Sequence, residues 1–262
     1  MVDPTALRSA RLAQGRLNQA LRVRSRHQWQ LRHLAVCAST ETELTRWLHN
    51  QPLLARQPRV VLAHHQRFAH GQYGRTWMAP PGGVWLSAAL PWPQGERSTG
   101  LFGLTVALAI AEQLEAHGVR AVIKWPNDLF VGSRKLAGVL PKLVFRGHHV
   151  RLARIGVGLN VSNPVPQGGI ALRELLPPGC CRLILWQLHV LDALERACVL
   201  AADPQRVVGA AEQRLWSDVV PDPVTGGHWA IRGIGLDGRL LLRQGTRTTS
   251  WTRWGDTPEE NL

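Results

Sequence analysis

The sequence predicts an α/β (α+β) fold, a mixed β-sheet with helices packed on it, followed by a small β unit. Three observations carry this. Short apolar runs such as Val60–Ala63 and Val84–Ser87 alternate with longer runs of helical character such as Leu101–Ala116 and Leu183–Ala202. The central stretch Lys124–Leu140, KWPNDLFVGSRKLAGVL, reads as strand, turn, strand, turn and strand. Beyond Pro221-Asp222-Pro223 the pattern changes to short strands only.

Residues 1–30 are rich in Arg and nearly free of acid, with Leu7, Ala10, Leu17 and Leu21 at near-helical spacing. Gly15 interrupts that spacing, so a loosely held amphipathic extension is expected. Leu34–Cys37 reads as a strand running into Ser39-Thr40-Glu41 and a helix over Glu43–Asn50. A Ser or Thr at that place caps a helix by accepting a backbone N–H. Val60–Ala63 delivers His64-His65-Gln66 and a glycine-containing loop through Trp77. Ala79-Pro80-Pro81-Gly82-Gly83 turns into the strand Val84–Ser87. Thr99 is expected to cap the helix Leu101–Ala116, which is apolar on most faces and so should be buried against the sheet. Val150–Ile155 continues into Gly156-Val157-Gly158-Leu159-Asn160-Val161, which Pro164 and Pro166 prevent from opening a helix. Leu183–Ala202 and Val207–Trp216 read as packing helices. Trp229–Ile234 and Leu240–Arg243 flank an Asp237-Gly238 turn as a hairpin, with Thr248–Trp254 a further strand.

Within the central stretch Lys124 precedes the first turn and Lys135 stands on the returning strand. The chain has lysines only at 124, 135 and 142, although Lys and Arg together number 31. A lysine against that background indicates a need for a compact ammonium that a planar guanidinium replaces poorly. Two ammoniums brought close repel, so a fold that unites them expects an anion between them.

The 262 residues, 45% hydrophobic, suffice for one substantial core with an appendage. No apolar run reaches the length of a membrane span. The formal charge of +13 invites a nucleic-acid partner, but the arginines are scattered and no helix-turn-helix or zinc-finger spacing accompanies them. No nucleic acid and no membrane are therefore expected as partners. Cys37, Cys180, Cys181 and Cys198 form no CxxC pair and read as thiols of a reducing, cytoplasmic compartment. No metal-ligating set is expected. His64 and His65 are strand neighbours on opposite faces, and His148-His149 lies in a hairpin turn.

The KWPND turn followed by RKLAGVL, with Ser39-Thr40, Gly74-Arg75-x-Trp77 and Ile155–Val161 in order, resembles the biotin protein ligase family over roughly residues 34–255. The resemblance implies a catalytic domain over 31–216 and an SH3-like β barrel over 217–262, after the basic extension 1–30. The short extension leads us to expect a monofunctional form without a DNA-binding domain. The implied activity joins biotin to ATP with Mg²⁺ as biotinyl-5'-AMP and transfers biotin to a lysine of a biotin carboxyl carrier protein of acetyl-CoA carboxylase. By the same resemblance Lys135, Lys124 and Arg75 are catalytic. Ser39, Thr40, Gln66, His70, Gly71, Ser87, Lys135 and Gly138 bind biotin, and Gln72, Trp77, Lys124, Asn127, Asp128 and Asn160 meet ATP or the adenylate. The chain departs from the family pattern at Glu41, where Asn is usual, and in its loop, where Ala69, His70 and Gln72 replace a Gly and two Arg. Three other readings attach to these residues: a biotin-binding pseudoenzyme, a lipoate or octanoate ligase on the same scaffold, and a basic nucleic-acid-binding module.

Overall fold

The computed structural model describes residues 4–25, 28–52, 57–92 and 96–254. Helix α1 (Pro4–Arg24) precedes strand β1 (Gln30–Cys37), helix α2 (Thr40–Asn50), strands β2 (Arg59–Gln66) and β3 (Val84–Leu90) and helix α3 (Phe102–Ala116). Strands β4 (Val122–Lys124), β5 (Asp128–Val131), β6 (Arg134–Arg146) and β7 (His149–Leu159) follow, then helices α4 (Leu183–Leu200) and α5 (Pro204–Glu212). The chain ends in strands β8 (Val219–Pro221), β9 (His228–Ile234), β10 (Leu240–Gln244) and β11 (Arg247–Trp251).

Seven strands form one mixed sheet in the order β1-β2-β3-β7-β6-β5-β4, in which β1 and β2 are parallel and the other neighbours antiparallel. Alternation of side chains along a strand sorts its two faces. Val60, Leu62, Val84, Leu86 and Ala88 enter the main core with residues of α1, α3 and α4, whereas Val61 and Ala89 pack beneath Leu44 and Trp47 of α2. Helix α3, buried along nearly its whole length, is the centre of the helical layer. Its N-cap is Leu101, which has no side-chain cap bond, and Thr99 lies in the preceding 3-10 turn Glu96–Leu101 rather than capping it.

Two further expectations are corrected. Helix α1 is packed rather than loosely held: Ala10, Leu17 and Leu21 are buried, and Gly15 passes within the helix because the buried face runs past it. Gln14 accepts a hydrogen bond from the His33 N–H of β1 at 3.0 Å, and Trp29 donates to Glu195 of α4 at 2.6 Å. The last four strands form an open antiparallel sheet, β11-β10-β9-β8, and not a closed barrel. The strands are short, and their apolar residues Trp229, Leu240, Leu242 and Trp251 are buried in the main core with Val207 and Ala211 of α5, so burial is achieved without closure. The sheet is docked by polar contacts as well. Ile234 donates to Glu212 at 2.7 Å, Trp125 donates to the Gly238 carbonyl at 3.0 Å, and Gly100 lies so close that a Cβ there would meet the Asp237 oxygen at 1.7 Å.

The edge strand β4 is not left bare. Residues 214–216 run parallel beside it, Ile123 donating to the Arg214 carbonyl and accepting from the Trp216 N–H at 2.6 and 2.9 Å. At the opposite end of the sheet, burial pushes the His33 imidazole down from 6.5 to about 4, with nearby His64 adding to the effect. A histidine with a depressed folded pKa binds its proton first in the unfolded chain, so its stabilisation is complete above pH 6.5 and lost as pH falls toward 4. The unfolding free energy measured by urea titration should therefore drop across that window by on the order of 3 kcal/mol at most, and His33→Gln should flatten this part of the pH profile.

Candidate active site

A cleft of about 780 Å³ opens on the α2 side of the sheet. Its walls are the start of α2, the loop 67–79, the middle of β3, the turn 125–127, strands β6 and β7, the loop 166–169 and the last described residues, Arg253 and Trp254. All the residues singled out above as site residues, from Ser39 to Asn160, line it. The structure thus gathers in one place side chains that lie up to 121 positions apart in sequence (160 minus 39).

One end is polar and uncharged. Ser39 is the α2 N-cap, accepting from the Glu41 N–H at 3.2 Å. Thr40 donates to the Gln66 side-chain oxygen twice, from its N–H at 2.7 Å and its hydroxyl at 3.1 Å, and that hydroxyl lies 2.9 Å from the Ser87 hydroxyl. With its oxygen engaged by Thr40, Gln66 has its amide N–H groups left to donate. Glu41 is directed away from this network by the buried Arg154 of β7, to which it is paired at 2.7 Å. Arg154 also donates to the Thr45 hydroxyl. The carboxylate that departs from the family pattern therefore has a partner that holds it at the rim.

The other end is cationic. Lys135 pairs with Asp128 at 2.6 Å. Burial lowers the Lys124 pKa; Asp128 opposes the shift, while Lys135 and Arg75 reinforce it. The expected anion between the two ammoniums is thus supplied in part by Asp128, with a cationic excess directed into the cleft. The KWPND turn that sets this geometry, with a cis peptide before Pro126, is clamped to β6. Val139 donates to the Asn127 carbonyl at 3.0 Å and the Asn127 amide donates to the Val139 carbonyl. Asn127 therefore acts through backbone clamping.

Sequence reasoning missed two walls. The loop around Gly168 binds both backbone groups of Lys135, accepting its N–H at 2.8 Å and donating to its carbonyl from Ile170 at 3.0 Å. Asn160 anchors that loop from inside, donating to the Ile170 carbonyl at 3.1 Å and accepting from Asn163 at 3.0 Å. The Gly168-Gly169 pair was the available signal. Arg253 and Trp254 come from the far end of the chain, and no local signal assigned them to the cleft.

The floor is made by absent side chains. Gly138 and Gly158 are register partners on β6 and β7, and Trp77 lies over both. A Cβ on Gly158 would come within 2.7 Å of the indole, and one on Gly138 within 3.3 Å. Trp77 meets Trp85 edge-on at 6.3 Å, and the Lys135 ammonium stands 5.1 Å above the Trp77 ring. The loop leading to Trp77 is closed on itself. Gly71 donates to Arg75 at 2.7 Å and Trp77 to Ala69 at 3.0 Å, with Tyr73 at φ 57 forming its tip. His70 and Gln72 lie in it where the family pattern has Arg. Among the described residues no group of three or more His, Cys, Asp or Glu could hold a metal, and no helix is long and apolar enough to cross a membrane. Burial pushes the thiols of Cys37 and Cys198 up to about 12, and neither lines the cleft.

Replacing Gly158 by Ala should force Trp77 off its seat and destabilise the fold by about 1–3 kcal/mol. Gly71→Ala, whose Cβ would meet only the Arg75 oxygen at 3.8 Å, should change stability by less than about 0.5 kcal/mol. Urea titrations of the two variants check the contrast.

Residues 34–160 match the model of the Biotin/lipoate A/B protein ligase family. The bifunctional ligase/repressor BirA of Escherichia coli is 34% identical over 123 residues, which are 44% of this chain and 38% of that protein. The biotin--[acetyl-CoA-carboxylase] ligase of Paracoccus denitrificans is 30% identical over 121 residues, 45% of this chain and 50% of that one. The chain is thus matched over half the length of these curated relatives or less. The biotin protein ligase of Aquifex aeolicus, solved with biotin and ATP, has the same fold, with a TM-score of 0.66 at 19% identity over 86% of this chain and 96% of that one. The segment that supplies the α2 cap, the loop, the KWPND turn and the glycine floor is thus the one that matches the model of the biotin/lipoate A/B protein ligase family.

Proposed function

We propose that the chain is a biotin protein ligase, which activates biotin with ATP and passes it to a lysine of a biotin carboxyl carrier protein of a carboxylase. The observation that carries this reading is the polarity of the cleft: a neutral hydrogen-bonding end, a flat floor of Trp77 over two glycines, and a cationic end. A ligand matching it has a neutral ring of donors and acceptors at one end and an anion at the other. Biotin does so with its ureido ring and carboxylate. Lipoate and octanoate, which have no oxygen or nitrogen at the distal end, would leave Thr40, Gln66 and Ser87 without ligand partners, and the relatives from Paracoccus denitrificans and Arabidopsis thaliana are named as biotin ligases.

In the first step a biotin carboxylate oxygen attacks the α-phosphorus of ATP and pyrophosphate leaves. Lys135, fixed through both backbone groups and by Asp128, is the residue we assign to the carboxylate and the α-phosphate, its ammonium offsetting charge that grows as the bond forms. Lys124 and Arg75 serve the leaving phosphates. Asp128 is the carboxylate at this end that suits Mg²⁺, which would neutralise phosphate charge and draw its remaining ligands from phosphate oxygens and water. In the second step the neutral amine of the carrier lysine attacks the acyl carbon, AMP leaves, and the amine loses a proton. The basic surface suits an acidic carrier, and the reduced thiols suit the cytoplasm.

Biotin-dependent exchange of label between pyrophosphate and ATP tests the reading. Exchange is expected in the unmodified protein, with a loss of about 10²-fold or more in Lys135→Ala at unchanged folding. Absence of biotin-dependent exchange in the unmodified protein would overturn it. Because His70 and Gln72 provide fewer charged donors than two arginines, trapped biotinyl-AMP should escape faster from the unmodified protein than from an arginine-restored loop, His70→Arg with Gln72→Arg. Escape rates measured by rapid dilution should fall about tenfold in that double variant.

A further inference from the structure

Lys124 has surroundings that the phosphate chemistry alone does not require. Its ammonium lies 4.9 Å from the ring centroid of Trp216, 5.1 Å from that of Trp254 and 5.4 Å from that of Phe130. The rings also meet one another, Phe130 and Trp216 at 5.6 Å and Trp216 and Trp254 at 6.1 Å. Two of these walls are fixed on the large sheet. Phe130 belongs to β5, and Trp216 is tied by its N–H to Ile123 and by its indole to the Gly132 carbonyl at 3.0 Å. The third wall comes from the small sheet, since Trp254 follows β11. Beside it Arg253 places its guanidinium 5.7 Å from the ring of Tyr73, at the tip of the cleft loop.

An ammonium taken partly out of water next to Lys135 and Arg75 is electrostatically disfavoured, and burial and both neighbours lower its pKa. Aromatic faces favour the charged form and hold it near the ring axis. We propose that Trp254 is a positioning residue that, with Phe130 and Trp216, cages the Lys124 ammonium at the phosphate end of the cleft, so that the small sheet completes the nucleotide half of the site. What the ammonium is held for rests on the adenylation reading above. The cage itself is a property of the free protein.

The scarcity of lysine makes this testable without any activity. Protein labelled with ¹³C at the lysine ε-carbon carries three side-chain signals, for Lys124, Lys135 and Lys142. The signal lost in Lys124→Arg identifies Lys124, and ring currents from the cage should displace it from that of exposed Lys142. Trp254→Leu should move it toward the exposed position, Trp254→Phe should keep most of the displacement, and Phe130→Leu, which removes another wall, should move it in the same direction. In the exchange assay Trp254→Leu should raise KM for ATP about tenfold while kcat and KM for biotin stay within about twofold, and Trp254→Phe should restore it. A Lys124 signal indifferent to both Trp254→Leu and Phe130→Leu, or an unchanged KM for ATP in Trp254→Leu, would overturn the proposal. Absence of exchange in the unmodified protein would instead remove the adenylation reading, and the carbon signals would still decide whether the cage exists.

Discussion

The site depends on two places where the sheet carries no side chain. Gly138 and Gly158 face each other across β6 and β7, and their missing Cβ atoms make the space that Trp77 fills. From that seat follow the exit of the loop, which Trp77 pins through its N–H to Ala69, and the stance of Lys135, whose ammonium rests above the indole. A central strand that reads G-x-G here is a packing requirement. It needs no phosphate cradle at a helix terminus to explain it, and no helix opens directly at the end of β7 to provide one.

The electrostatics of the cleft rest on a mismatch that the fold tolerates. Two ammoniums and a guanidinium converge where there is one paired carboxylate, Asp128. The arrangement is held by groups that are not themselves charged: the Asn127 clamp on β6, the double backbone tie of Lys135 to the loop 168–170, and the rings about Lys124. Such rigid neutral supports let a cationic surplus persist beyond the Lys135–Asp128 pair, which is the condition for meeting an incoming anion.

What the residues disclosed by themselves was the local geometry. The strand and turn order around KWPNDLFVGSRKLAGVL, the cap at Ser39 and the buried character of α3 follow from periodicity and turn chemistry, which act over a few residues. What they withheld was long-range. Arg154 answering Glu41, the loop at Gly168 locking Lys135, and Arg253 with Trp254 reaching the cleft each join positions whose adjacency is created only by the sheet order. The same holds for α1, whose weak, Gly-interrupted pattern gave no sign of how well Leu17 and Leu21 fit the core, and for the last four strands, whose apolar residues share one core with α5.

The strip 214–216 that runs beside β4 has a consequence outside catalysis. An unpaired edge strand presents free N–H and C=O groups and is a template for joining another chain edge to edge. Here both backbone groups of Ile123 are taken by Arg214 and Trp216, so this edge of the large sheet offers little to a second molecule where the strand bears Lys124. A substitution that loosened the strip, such as a proline at 216 in place of its hydrogen-bonding N–H, would expose a sticky edge at the margin of the active site, and its first symptom would be self-association.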